Sequence, residues 1–249
     1  MAAMPGGRPG AWCGEEARMF GTLTLATLIS RLIALLVGTT LHEYGHNYVG
    51  YLMGDNTPAY EGKLTLDPRK HIYWPGFLMF VVLGFGILGT APVSPGRMSY
   101  PRTTWAAKLS RQQRFGIAVL AGPVGNLIVA VIAALFFRLV NATVPDVLGP
   151  LQNPNLARVL PGFGQILIDL VWWNVLLFFF NLIPLGPLDG RYILGMFIPP
   201  HSYYGYDNFQ SQFGTLLLFA LIFATFFIPT VNILGVLIGE PTVRLTYFL

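Results

Sequence analysis

The chain has 249 residues, of which 54% are hydrophobic and only 10% are charged, and its formal net charge at pH 7 is +4. About a quarter of the residues in soluble domains are charged, so this composition excludes an ordinary soluble protein and indicates an integral membrane protein. The single cysteine, Cys13, excludes an internal disulfide framework and a cysteine-based zinc site. The small basic excess concerns membrane topology and anionic lipid, and it does not indicate a nucleic-acid partner.

The N-terminal part of the chain divides into a tail and a first helix. Residues 1–18 are rich in glycine, proline and charge, which predicts a disordered tail, and residues 19–249 are predicted to form a single domain. An apolar stretch over residues 19–53 predicts a helix that ends at Gly54-Asp55-Asn56.

The first predicted helix contains the sequence His42-Glu43-Tyr44-Gly45-His46. Residues four apart share a helix face, so both histidines can direct a ring nitrogen at one zinc ion. Glu43 lies beside them, where it can accept a proton from a water molecule. The motif therefore predicts the catalytic half of a metalloprotease with one Zn2+. The alternative is a pair of packed, hydrogen-bonded histidines.

A polar connector and an interrupted apolar segment follow the first helix. In the connector, residues 57–70, the alternation of Lys63-Leu64-Thr65-Leu66 predicts a short β-like segment that could pair with an extended substrate. Residues 71–96 contain no Asp, Glu, Lys or Arg, but they contain several glycines and prolines. They are interpreted either as a fifth membrane span or as a re-entrant hairpin, and the hairpin is preferred.

The rest of the chain predicts three further spans, at residues 115–137, 163–183 and 208–239. Residues 97–114 hold five basic residues and no acidic one, so this loop is predicted to be cytosolic. The predicted fold class is therefore an all-α polytopic membrane protein. It has about four transmembrane helices, one re-entrant or fifth membrane segment, and a short β-like connector after the first helix.

A catalytic zinc ion usually has three protein ligands, so the motif needs a third. Charged groups inside a membrane are costly and therefore functional candidates, which favours Asp169 and Asp189 over the loop residues His71 and His201. Asp169 is nearer the outer part of its span, where it can pair with a neighbouring helix. Asp189 follows a segment broken by two prolines and a glycine, which can turn its carboxylate inward. Asp189 is the preferred ligand, and a solvated loop aspartate is its alternative role.

Two more motifs accompany the one at residues 42–46: Ala121-Gly122-Pro123 followed by Asn126, and Phe180-Asn181-Leu182-Ile183-Pro184 running to Leu188-Asp189-Gly190. Together they resemble the site-2 protease family of intramembrane zinc metalloproteases. The connector is similar to that of the small subgroup without PDZ or nucleotide-sensing domains. The resemblance implies that Asp189 is the third zinc ligand and Glu43 the general base. It also implies that Asn126 and Asn181 line the active site and help to hold substrate backbone or an oxyanion, whereas Asn174 is interpreted as a packing residue.

The predicted function is that of an intramembrane zinc endopeptidase, which hydrolyses a peptide bond within or near a transmembrane segment of a membrane-protein substrate. The protein is expected in the cell membrane as a multi-pass protein, with its active site toward the cytosolic side. Its expected partners are the lipid bilayer and the transmembrane substrate, and a homo-oligomer is compatible with the sequence. One alternative is an ion-binding transporter. This alternative does not explain why Glu43 lies beside His42, and the sequence lacks the inverted repeats of many transporters. Another is a catalytically inactive scaffold of the same fold.

Overall fold

The computed structural model describes residues 24–83, 89–228 and 233–249, and this part of the chain contains helices and turns but no sheet. The tail predicted at residues 1–18 lies outside the described residues. The α-helices are α1 (Leu25–Leu52), α2 (Thr57–Tyr60), α3 (Trp74–Leu83), α4 (Arg111–Thr143), α5 (Pro154–Val159), α6 (Phe163–Asn181), α7 (Gly190–Gly195), α8 (Pro200–Phe209), α9 (Thr215–Phe227) and α10 (Glu240–Phe248).

Three stretches of the described chain are long and apolar enough to cross a membrane. They are α1, α4 and the combined stretch Pro154–Asn181, which contains α5 and α6. The helix predicted at residues 19–53 therefore corresponds to α1, and the span predicted at 163–183 corresponds to α6.

Helix α4 is longer than the span predicted at residues 115–137 because it begins in polar sequence. Ser110 Oγ accepts a hydrogen bond from Gln113 N at 3.2 Å, and Gln113 Oε1 accepts one from Ser110 N at 3.0 Å. This reciprocal capping satisfies two backbone donors at the helix start. Hydropathy detects only the apolar part of the helix, so it places the first turns in the preceding loop.

The long helices α1, α4 and α6 pack against one another and form the core. Buried apolar residues fill the two main contact regions. The cluster between α1, α3 and α6 contains Ala34, Leu35, Ile72, Phe77, Phe80, Trp173 and Leu177. The cluster between α4 and α6 contains Ala130, Ala133, Ala134, Val171 and Val175. This arrangement places the inner faces of three candidate spans side by side.

The interrupted apolar segment returns close to the point where it begins. Helix α3 has 10 residues, or about 15 Å, which is roughly half the thickness of the hydrocarbon core. Ile72 and Gly89 form an antiparallel bridge, and Thr90 N donates to His71 O at 3.1 Å. Residues 84–88 lie outside the described residues. The two ends of the segment are therefore neighbours, whereas the ends of a membrane-crossing helix are far apart.

The prediction of a β-like segment in the connector is wrong, because residues 63–66 contain a bend at 64–65 and no strand. Their polar groups are satisfied locally instead of in a ladder. Thr65 Oγ1 accepts from Asp67 N at 3.2 Å, and Thr65 O accepts from His71 Nε2 at 2.6 Å. Alternation over four residues does not produce a strand without a neighbouring strand to receive its hydrogen bonds.

A buried aspartate joins the end of α1 to the chain that follows the bridge. Asp55 is fully buried, and its Oδ1 accepts from Thr57 N at 2.9 Å while its Oδ2 accepts from Ser94 N at 2.9 Å. Arg97 Nε lies 3.4 Å from the same Oδ2. These bonds hold residues 89–94 beside the C-terminal half of α1.

Two basic residues of the predicted cytosolic loop have structural roles. Arg114 is buried, and its guanidinium donates to Ala106 O and Met98 O, both at 2.8 Å. The guanidinium of Arg102 lies 3.7 Å from the centre of the Tyr51 ring. The loop is therefore folded against the C-terminal end of α1 and the start of α4.

The C-terminal part runs from α8 through a π-helical turn, Gln210–Gly214, directly into α9. Helix α9 has 13 residues, and residues 229–232 lie outside the described residues. The last span, predicted at residues 208–239, overlaps this turn and α9, and as a membrane crossing it stays a prediction.

Candidate active site

The histidine motif and Asp189 meet between α1 and the segment that follows α6. His42 Nε2 and His46 Nε2 are 3.0 Å apart. Asp189 Oδ2 lies 3.1 Å from His42 Nε2 and 3.4 Å from His46 Nε2. Within the described ranges, these three residues form the group of side chains that could hold a metal ion.

Both imidazole rings are oriented by acceptors on α4. His42 Nδ1 donates to Asn126 Oδ1 at 2.7 Å, and His46 Nδ1 donates to Ala118 O at 3.1 Å. A proton on Nδ1 leaves the lone pair on Nε2, and this is the neutral form that binds a metal. The two lone pairs therefore face Asp189.

The donor set fits a zinc ion. Two nitrogen lone pairs and a carboxylate oxygen converge, and they repel one another unless a cation lies between them. Asp189 Oδ2 is buried and has no other hydrogen-bond donor. In a tetrahedral site with bonds of about 2.0–2.1 Å, two ligand atoms are roughly 3.3 Å apart. The separations of 3.0, 3.1 and 3.4 Å between the three donor atoms agree with this geometry.

Small residues on α4 allow its backbone to approach α1 at the level of the histidines. A β-carbon at Gly122 would collide with the rings of His42 and His46, and one at Gly125 would lie 2.9 Å from Leu41 O. The glycines of the Ala121–Asn126 motif therefore make room for the two rings.

Glu43 lies beside the metal-binding group and beneath the chain that follows the bridge. Its side chain is buried, and its Oε2 accepts no hydrogen bond. Gly89 packs directly against this carboxylate. Lys63 Nζ donates to Thr90 O at 3.0 Å, which fixes the chain next to Gly89. A buried carboxylate oxygen without a donor, such as Oε2, is available to accept a proton.

The broken segment that carries Asp189 is held by a glutamine from the π-helical turn. Gln210 is buried, and its Nε2 donates to Pro184 O at 2.8 Å while its Oε1 accepts from Gly186 N at 3.1 Å. Proline and glycine leave these backbone groups outside any helix, so they need partners from elsewhere. One amide satisfies both groups and positions the turn that leads to Asp189.

The metal-binding group opens into a cleft of about 360 Å³. Its walls are mostly apolar and include Phe80, Phe115, Phe180 and Tyr192. Asn181 also lines the cleft, and its Nδ2 donates to Leu177 O at 3.0 Å. The cleft thus combines hydrophobic walls with a few polar groups.

The two asparagines expected to line the active site, Asn126 and Asn181, occupy different places. Asn181 lies on the cleft, whereas Asn126 is fully buried behind His42. Sequence reasoning missed the roles of Gly89 and Gln210. Gly89 is one of several glycines in an apolar segment, and nothing in the local sequence relates Gln210 to a turn more than 20 residues earlier.

Comparison with known proteins agrees with this geometry. The model of peptidase family M50 matches residues 30–225. The "Putative zinc metalloprotease YwhC" of Bacillus subtilis is 36% identical over 170 residues, which are 68% of this chain and 69% of that protein. The "Putative zinc metalloprotease Rip2" of Mycobacterium tuberculosis is 29% identical over 199 residues, which are 79% of this chain and 66% of that protein. No solved structure matches the chain.

The matched region extends from the first turns of α1 to the end of α9 and includes the histidine motif, the glycine-rich part of α4 and Asp189. The chain therefore belongs to peptidase family M50, the site-2 protease family, and is a zinc metalloprotease.

Proposed function

We propose that the protein is an intramembrane endopeptidase with one zinc ion, which cuts a membrane-protein substrate within or near a transmembrane segment. The observation that carries the proposal is the convergence of His42, His46 and Asp189 inside a bundle of candidate spans, with Glu43 beside them. His46 is six residues, or about 9 Å, before the end of α1, and His42 is about 15 Å before it. The two histidines therefore lie deeper in the helix bundle than the C-terminal end of α1.

The membrane arrangement follows from the same helices. We infer a multi-pass protein of the cell membrane in which residues 72–89 enter and leave on one side, since Ile72 and Gly89 are paired. The basic loop at residues 97–114 packs against the C-terminal end of α1, which is the end nearer the site. The positive-inside rule then orients the site toward the cytosol.

Zinc held by His42, His46 and Asp189 would act as a Lewis acid on the scissile carbonyl and would lower the pKa of water. The residues of the chain supply the rest of the mechanism. The carboxylate of Glu43 accepts a proton from the attacking water and delivers it to the leaving amine. Glu43 Oε2 is buried without a hydrogen-bond partner, which leaves this oxygen free for the transfer.

The apolar walls of the cleft bind the hydrophobic side chains of a membrane-spanning substrate. The scissile carbonyl of a helix is occupied by hydrogen bonding, so the substrate must unwind locally before it is cut. Asn181 donates one amide proton to Leu177 O, which leaves its Oδ1 and second amide proton for the substrate backbone or the oxyanion. Asn126 acts differently, because it contacts His42 and orients its ring.

The test compares the purified protein with Glu43→Gln and His42→Ala. Glu43→Gln should keep about one zinc per chain and lose proteolysis of a membrane-embedded substrate, because it removes the proton acceptor and no ligand. His42→Ala should lose both zinc and proteolysis, and a chelator should reproduce this loss in the unaltered protein. Cleavage by Glu43→Gln at the original rate would contradict the mechanism. Cleavage confined to soluble peptides would contradict the intramembrane substrate.

A further inference from the structure

A line of buried hydrogen bonds leads from the metal-binding group across the helix bundle. His42 Nδ1 donates to Asn126 Oδ1 at 2.7 Å, Asn126 Nδ2 donates to Asn174 Oδ1 at 3.3 Å, and Asn174 Nδ2 donates to Leu170 O at 2.8 Å. Both asparagines are completely buried. The line crosses from α1 to α4 to α6, and every donor points in the same direction.

The far end of this line determines the orientation of each member. Leu170 O is a backbone carbonyl and can only accept a hydrogen bond. Asn174 must therefore direct its Nδ2 at Leu170 and its Oδ1 at Asn126. Asn126 must then present its Nδ2 to Asn174, which leaves its Oδ1 for His42.

We propose that Asn174 is a positioning residue for the metal site. It acts through Asn126 to keep the proton of His42 on Nδ1 and the lone pair on Nε2. The inference rests on the proposed function, since it takes His42 to be a zinc ligand. It assigns to Asn174 a role beyond helix packing.

These hydrogen bonds are needed to fix the amide of Asn126, because an asparagine side chain has nearly the same shape when its oxygen and nitrogen exchange places. Packing alone does not distinguish the oxygen from the nitrogen, whereas hydrogen bonding does. If the amide of Asn126 were reversed, its Nδ2 would face His42 Nδ1, which would then have to accept. The imidazole proton would move to Nε2 and occupy the position required by the metal.

Helix α1 has a glycine where the side chain of Asn174 approaches it. Gly38 lies one turn before His42, and a β-carbon at this position would collide with Asn174 Oδ1. A glycine here therefore opens the space for the oxygen that accepts from Asn126. Gly38→Ala should displace the same oxygen without changing either asparagine, which gives a second, independent variant.

The experiment measures zinc affinity by competition with a chelator for Asn174→Leu in two backgrounds, the natural protein and Asn126→Asp. In the natural background, we expect affinity to fall about 10- to 100-fold, as is typical when a group that orients a ligand is lost. In Asn126→Asp, the two carboxylate oxygens are equivalent, so His42 meets an acceptor in either orientation. The same substitution should then change affinity by less than about threefold.

A role of Asn174 in packing alone gives a different result, namely equal losses of affinity in both backgrounds. That outcome would overturn the proposal, and so would unchanged affinity in the natural background. The thermal unfolding midpoint of the zinc-free proteins reports the effect on packing separately from the effect on zinc affinity. If Asn174→Leu does not fold, Gly38→Ala is measured in the same two backgrounds with the same expectations.

His42→Ala separates this proposal from the proposed function. If His42→Ala leaves zinc affinity unchanged, then His42 is not a ligand and the proposed function itself fails. If His42→Ala abolishes zinc binding while Asn174→Leu and Gly38→Ala leave it unchanged, only the positioning role fails.

Discussion

Gly89 lies directly against Glu43: a β-carbon at position 89 would be 2.5 Å from Glu43 Oε1 and 2.6 Å from its Cγ. The bridge to Ile72 fixes Gly89 itself, and the hydrogen bond from Lys63 Nζ to Thr90 O fixes the next residue. The backbone therefore covers the carboxylate of Glu43, the proposed proton acceptor, at a distance that only glycine permits.

Gly89→Ala should slow proteolysis on the order of 100-fold, because a catalytic group displaced by about 1 Å loses its productive geometry. Zinc content should stay the same, since the three atoms nearest to the added β-carbon all belong to Glu43 and not to a proposed zinc ligand. Proteolysis and bound zinc would be measured on the same preparation. Gly96→Ala is the matched control, because its β-carbon would meet Ser94 Oγ at an ordinary 3.7 Å. Equal rates for the two variants would show that the contact between Gly89 and Glu43 is unimportant.

Gly122→Ala should weaken zinc binding roughly 10-fold or more, because the added methyl group collides with the rings of His42 and His46. Its effect should appear in a chelator competition as well as in proteolysis. Gly205→Ala is a helical control with open space around its β-carbon, and it should bind zinc normally. Normal zinc affinity in Gly122→Ala would mean that the rings are not confined by α4.

Gln210→Leu should loosen the segment that carries Asp189. It leaves Pro184 O and Gly186 N without partners, at a cost of about 1–3 kcal/mol for each buried group. We expect a lower thermal midpoint in detergent and weaker zinc binding. Gln212→Leu changes an exposed glutamine of the same π-helical turn, and it should affect neither quantity. If both variants behaved alike, the amide of Gln210 would have no role in holding the ligand segment.

Single cysteines should report the side of the membrane on which each loop lies. In a Cys13→Ser background, Tyr60→Cys and Lys108→Cys should react with an impermeant reagent from the same side, because Ile72 and Gly89 are paired. Asp146→Cys, in the exposed connector between α4 and α5, should react from the opposite side. Labelling of positions 60 and 108 from opposite sides would require a full span between them.

The sequence predicts those features that depend on short, ordered patterns. The spacing of His42 and His46 defines one helix face, and the broken segment before Asp189 can turn a carboxylate inward. The structure brings these three side chains together. The C-terminal end of α6 is also predictable, because Pro184 closely follows Asn181 and cannot continue the helix.

Features that depend on the packing of distant segments could not be predicted. The orientation of Asn126 is determined by Asn174 on another helix, and Gln210 contacts a turn that only the tertiary fold brings near. Alternation alone predicts the β-like connector. In the structure, local hydrogen bonds satisfy the polar groups of Thr65, so no strand is needed.

The bridge between Ile72 and Gly89 has one more consequence, for variation in chain length. Because Ile72 and Gly89 are paired, the length of the chain between them does not determine the positions of the residues before Ile72 and after Gly89. Residues could be inserted or deleted between the end of α3 and Gly89 without displacing α1, the buried side chains of Phe77 and Phe80, or the bridge. A change in chain length there would therefore leave the contact between Gly89 and Glu43 unchanged.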